Sequence, residues 1–108
     1  MIKMKIVLDE EKMLHEGYDI EHTWNLIDEL FQRLELSKAE KGYYMGSNKS
    51  TDFAHFGLAG IKLGEQDWFL DNVIEWLWFN NDMSSNKNDF NIEDLLVEEG
   101  IYKIGFRC

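Results

Sequence analysis

The chain has 108 residues, a usual size for a single domain, and 44% of them are hydrophobic, so it can bury a core without cross-links. Its formal charge is −10, from 21 acidic against 11 basic side chains, and this negative field disfavours direct binding to nucleic acid. The single cysteine, Cys108, excludes an intrachain disulfide, and no apolar run reaches the ~20 residues that a membrane span requires. We therefore expect a cytosolic, single-domain protein without membrane association. The absence of proline and the many Asn, Lys and Ile residues favour a bacterial or mobile-element origin.

The N-terminal third of the chain predicts a strand followed by two helices. Residues 3–8 combine Ile, Val and Leu with alternating lysines, which is typical of a strand. Asp9 is a candidate N-cap for a short helix that Gly17 would end. Asp19 is a second N-cap, and an amphipathic helix of about four turns follows it. Its apolar stripe, which we expect to pack on a sheet, consists of Ile20, Trp24, Ile27, Leu30, Phe31 and Leu34.

The middle of the chain predicts a short strand and a third helix. Residues 37–40 have the spacing of a capping box, but Gly42 limits them to one helical turn. Residues 43–45 are a short strand candidate, and Ser50 or Thr51 can cap a helix that continues to about Lys62. Phe53, Phe56, Gly57, Gly60 and Ile61 fall near one face of this helix. Each glycine weakens a helix by roughly 1 kcal/mol, so we expect the two glycines to allow close packing against a neighbour.

The C-terminal third contains the strongest strand pattern. After a helical turn within residues 65–71, Val73 to Asn80 alternate, with Val73, Glu75, Leu77 and Phe79 on one face and Ile74, Trp76 and Trp78 on the other. Two mostly apolar faces suit a central strand or a strand covered by a partner. Asn91 is expected to cap a helix that buries Ile92, Leu95 and Leu96 and ends at Gly100, and residues 101–106 are either a strand or an extension of that helix.

The mixture of strands and helices predicts an α+β fold: a small, mostly antiparallel sheet of three to four strands, with about three helices packed mainly on one face.

The sequence contains no convincing catalytic or metal-binding motif. His15, Asp19 and His22 lie close together in sequence, but they straddle the helix break at Gly17, so we interpret them as surface residues. Residues 82–93 place oxygen-bearing side chains at several ligand positions of a calcium loop. Lys87 occupies the position where such a loop requires glycine, so a plain surface loop is favoured, although cation binding stays open. We expect no catalytic residue, no metal and no cofactor.

The aromatic segment 68–79 contains the candidate binding residues, which are Trp68, Phe69, Trp76 and Trp78. Core packing is the favoured explanation for most of these rings, but the two-faced strand favours a contact surface. The leading hypothesis is a protein that is not an enzyme and acts through protein–protein contacts, either with a partner or as a homodimer. The alternative is an acidic DNA mimic that inhibits a nucleic-acid-handling enzyme, a type that the chain resembles in charge and length only. An enzyme of unassigned reaction is the third hypothesis.

Overall fold

The fold is built on an antiparallel sheet of five strands, seen in a computed structural model that describes residues 2–47, 49–80 and 91–95. The strands are β1 (Ile2–Leu8), β2 (Ser37–Glu40), β3 (Tyr43–Met45), β4 (Val73–Asn80) and β5 (Asn91–Asp94). The helices are α1 (Glu10–His15), α2 (Ile20–Arg33), α3 (Asp52–Gly64) and α4 (Asp67–Asn72). The strand order is β2-β3-β1-β4-β5, so the first four strands form two interleaved β-α-β units in the ferredoxin-like arrangement, which β5 extends. The predicted α+β class with an antiparallel sheet is confirmed.

The core lies on one face of the sheet. Along β1 every second residue is buried, from Ile2 to Leu8, while Lys3 and Lys5 lie on the opposite face. All four helices contribute to the same core, through Met13, Trp24, Ile27, Phe31, Phe56, Ala59, Leu63 and Phe69. The helices therefore pack on a single face, as the sequence predicts.

A bulge in β4 changes the faces that simple alternation assigns to its first residues. Val7 pairs with Glu75 and Leu8 pairs with Val73, so Ile74 has no partner on β1. The extra residue turns Val73 into the core beside Trp76 and leaves Ile74 39% exposed. The predicted faces hold beyond the bulge, where Trp76 and Trp78 lie on the core side, but they are wrong for Val73 and Ile74.

Two segments that the sequence assigns to helix are strands. Residues 37–40 pair with β3 across the turn at Lys41 and Gly42, where Gly42 has a φ of +79°. Residues 91–94 pair with β4, so the helix predicted from Asn91 is wrong for this stretch. In both cases hydrogen bonds to a neighbouring strand outweigh a weak local preference for helix. The remainder of that predicted helix, residues 96–100, and the segment 101–106 lie outside the described residues.

The other helices begin at the predicted caps. The Asp9 carboxylate accepts a hydrogen bond from the Lys12 backbone N–H at 3.1 Å, and Asp19 accepts one from the His22 N–H at 3.0 Å. Helix α3 differs, because the Thr51 side chain makes no capping bond. Instead, the buried carboxylate of Asp52 accepts hydrogen bonds from the backbone N–H groups of Ser47 and Lys49, each at 3.2 Å.

Candidate interaction surface on helix α3

Helix α3 is apolar on nearly all sides. Among its 13 residues, only Asp52, His55 and Lys62 are polar. A helix of this composition is normally surrounded by other protein. Here Phe56, Ala59 and Leu63 face the core, and the opposite side of the helix points away from it. The predicted stripe is therefore divided, because Phe53 and Ile61 do not share the buried side with Phe56.

The outward side of α3 exposes large apolar side chains. Phe53 and Ile61 are each 60% exposed and Leu58 is 45% exposed. Together with the exposed Ala54 and the half-buried Gly57, these residues form a patch that we call the α3 face. Soluble proteins seldom leave a contiguous apolar patch uncovered unless it serves an interaction. The other large exposed apolar residues, such as Leu14 on α1, are scattered on different elements.

A groove of about 660 Å³ adjoins the α3 face. Trp76 and Trp78 of β4 line it together with Gly57, Gly60 and Gly64 of α3. The ring of Phe53 lies 5.3 Å from the ring of Trp78 between centroids, so the groove and the α3 face are continuous. The buried Nε1 of Trp78 makes no hydrogen bond to any residue that the structure describes. The volume is large enough for one or two bulky side chains of another molecule.

The glycines of α3 are not needed for packing within the described part of the chain. A Cβ built on Gly57 or Gly64 meets no heavy atom within 4 Å, and one built on Gly60 meets only the Trp76 ring, at 3.8 Å. Close packing was expected at Gly57 and Gly60: among the described residues no neighbour is found at Gly57, whereas Gly60 lies against the Trp76 ring. Among the described residues, nothing covers the side of the helix that carries Gly57 and Gly64.

The structure separates the four aromatic residues predicted to bind. Phe69 and Trp76 are fully buried, and their rings meet edge to face at 5.0 Å. The Trp76 Nε1 also donates to the Met4 Sδ at 3.3 Å, which makes Trp76 a core residue. Trp68 is half-buried at a different place, between α2 and α3, and only Trp78 lies at the α3 groove. Direct contact with a partner is thus open to Trp68 and Trp78.

Sequence reasoning missed Phe53, Leu58 and Ile61 as contact residues. The sequence places Phe53 and Ile61 near one face of this helix together with Phe56, and that spacing does not distinguish a core face from a contact face. A signal was present in the composition, because residues 52–64 are apolar around the whole helix and one small sheet covers only one side.

The side chains considered for metal binding do not converge. His15 and His22 are exposed on different helices, and Asp19 is occupied as the cap of α2. Within residues 2–47, 49–80 and 91–95, no group of three His, Cys, Asp or Glu side chains could hold a metal ion. The candidate calcium loop lies mostly outside the described residues, as does Cys108.

A second surface groove, of about 430 Å³, is lined in part by Asp28, Lys38 and Lys41, whose charged groups already have partners. The Lys38 Nζ lies 2.9 Å from the Asp28 carboxylate, which also accepts a hydrogen bond from the Tyr44 hydroxyl at 2.6 Å. The Lys41 Nζ lies 2.7 Å from the Glu10 carboxylate. Burial, followed by the nearby Asp28 carboxylate, raises the pKa of Tyr44 well above its usual value. These contacts tie α1 and α2 to the hairpin formed by β2 and β3, so this groove is the weaker candidate for a ligand site.

The sheet face opposite the helices is closed in a similar way. The Lys5 Nζ lies 2.8 Å from the Glu75 carboxylate and 5.8 Å from the centre of the Tyr43 ring. The hydrogen bond to Glu75 raises the pKa of Lys5, so this ammonium group stays charged. At this part of the sheet face, a lysine stem and its ion pair thus lie beside the Tyr43 ring, in contrast to the α3 face.

Comparison with known proteins gives no guide to function, because no protein-family model, curated protein or solved structure matches the chain. Among the described residues, no helix has both the length and the apolarity needed to cross a membrane. A fold by itself does not define an activity, so the functional inference depends on the α3 face and its groove.

Proposed function

We propose that this chain is a small cytosolic binding protein that acts through protein–protein contacts made by the α3 face. One observation carries the proposal: Phe53, Leu58 and Ile61 are large, adjacent on one helix and about half exposed. Such a patch has an unfavourable free energy in water that a protein partner would remove.

The expected gain is large enough to support binding. Complete burial of one large apolar side chain contributes about 1.5–3 kcal/mol, so covering the exposed half of each contributes about 1 kcal/mol. Three side chains together contribute about 3 kcal/mol, and filling the adjoining groove would add to this. We expect Phe53 to contribute most, because large aromatic residues are frequent among those that dominate binding energies.

The chemistry of the α3 face favours a protein over a nucleic acid as the partner. No charged side chain interrupts the face, whereas a phosphate backbone requires Lys or Arg. Among the described residues that line the groove, Glu65 is the one charged side chain, so these residues offer no pair of converging acid and base groups for catalysis.

The test compares Ile61→Asp with a matched control, Leu14→Asp, in which an equally exposed apolar residue changes on α1. Affinity-tagged wild-type and variant chains would be used to recover partners from the native host, followed by quantitative mass spectrometry. We expect a partner, including untagged copies of the chain, to be retained by wild type and by Leu14→Asp but reduced at least about tenfold by Ile61→Asp. Equal recovery by all three chains would refute a role for the α3 face.

The same experiment addresses the acidic DNA mimic. A nucleic-acid-handling enzyme retained equally by all three chains, displaced by DNA and weakened steeply by salt, would support the mimic instead.

A further inference from the structure

We infer that the partner of the α3 face is the α3 helix of a second copy of this chain, packed antiparallel across a two-fold axis at Gly57. The pairing rests on the proposed function, because it identifies what covers the same apolar residues. Shape and charge favour a copy of the chain itself, and the expected area sets how tightly the two copies would bind.

The α3 face has a self-complementary shape. Phe53 and Ile61 lie four residues before and four residues after Gly57, so all three share one side of the helix. In a two-fold interface, residue i of one copy contacts residue j of the other, and j contacts i. An antiparallel crossing at Gly57 therefore places Phe53 of each copy level with Ile61 of the other. Gly57 itself presents no side chain at the crossing point, which lets the two backbones approach closely.

The charges favour the same arrangement. The chain has a formal charge of −10, whereas the polar residues of α3 are one Asp, one Lys and one His, so the helix is close to neutral. Two copies can therefore meet at α3 without the charge repulsion expected between other parts of the surface. Lys49 and Glu65 are exposed and flank the helix, each eight residues from Gly57. The Lys49 Nζ lies 3.4 Å from the Glu35 carboxylate of its own copy, in an exposed ion pair that leaves it reachable from a second copy. Antiparallel pairing brings Lys49 of each copy towards Glu65 of the other, just beyond the ends of the two helices. Parallel pairing would instead place like charges together.

The size of the surface predicts a weak dimer. A helix of 13 residues is about 20 Å long, so two such faces bury less than the roughly 800 Å² per partner of a standard interface. We therefore expect a dissociation constant on the order of micromolar or weaker, and a mass that increases with concentration.

Sedimentation velocity of the complete chain, from about 1 µM to about 500 µM, tests the pairing through charge reversal. Lys49→Glu places like charges across the interface, and so does Glu65→Lys, so each variant should weaken self-association about tenfold at low salt. An equimolar mixture of the two variants restores both opposite-charge pairs, so it should associate within about threefold of wild type. Arg33→Glu mixed with Glu29→Lys is the control, because this exposed pair lies on α2 and should show no preference for the mixture.

Gly57→Leu gives an independent test. The new side chain meets no heavy atom of its own copy at the Cβ position, so the monomer should stay folded by its urea midpoint. At the crossing point, however, the leucine should abolish dimerisation.

Any of three results would overturn the pairing. The wild-type chain could stay monomeric over the whole concentration range, the mixture of charge variants could associate no more tightly than its components, or Gly57→Leu could dimerise as tightly as wild type. If the chain is monomeric but binds another protein in a way that Ile61→Asp removes, the pairing fails and the proposed function stands. If Ile61→Asp changes neither self-association nor partner recovery, both fail.

Discussion

Replacing Gly57 by alanine tests whether the folded monomer needs a glycine in the middle of α3. A helix-interior glycine costs about 0.8–1.0 kcal/mol relative to alanine. Because a Cβ at this position meets no heavy atom within 4 Å, no steric cost opposes the gain. We therefore expect Gly57→Ala to raise the free energy of unfolding by about 0.8 kcal/mol. With a urea m-value of about 1.5 kcal/mol/M, the midpoint should increase by about 0.5 M.

Gly42→Ala is the matched control, since it makes the same chemical change where the structure needs a glycine. Gly42 has a φ of +79°, and an added Cβ would collide with the backbone oxygen of Ile6. We expect a loss of at least about 2 kcal/mol, from the left-handed backbone and the collision together. Urea unfolding followed by circular dichroism, at about 1 µM to keep the chain monomeric, measures both variants. A lower midpoint for Gly57→Ala would refute the reasoning, because it would mean that the monomer packs against this glycine.

Three further substitutions test other contacts in the structure. Tyr44→Phe removes the hydroxyl that donates to Asp28 at 2.6 Å, so it should cost about 1.5–3 kcal/mol in urea unfolding at neutral pH. Because the pKa of Tyr44 is raised, the folded state keeps the hydroxyl proton above about pH 10, where the unfolded state loses it. The free energy of unfolding should therefore decline above about pH 10, by up to about 1.4 kcal/mol per pH unit. Tyr44→Phe should remove this part of the decline. Asp52→Ala leaves the N–H groups of Ser47 and Lys49 without their acceptor and should lower stability by about 1–2 kcal/mol, as measured by thermal unfolding. Trp78→Phe should stay within about 1 kcal/mol of wild type in the same assay, because removal of an unpaired buried N–H offsets the loss of ring area; a loss above about 3 kcal/mol would show that the indole N–H has a partner.

The sequence predicted only part of the candidate site. Of the aromatic residues in segment 68–79 that were proposed to bind, Trp78 does lie at the groove. Phe69 and Trp76 have the same chemistry, yet the chain buries both completely. Composition identifies rings that must avoid water, but it does not say whether the chain itself or another molecule covers them. Only the packing of α3 distinguishes Phe56, which faces the core, from Phe53, which does not.

Local chemistry in the sequence determined β1, α1 and α2. Alternation over 3–8, the caps Asp9 and Asp19, and the apolar stripe of α2 depend on residues close together in the chain, so they can be recognised without the fold. Tertiary structure decided the strands at 37–40 and 91–94, the bulge at Ile74 and the exposure of the α3 face. The physical reason is that strand pairing and coverage depend on groups distant in sequence. Periodicity shows which side chains share a face, but the number of elements available to pack determines whether that face meets protein or water.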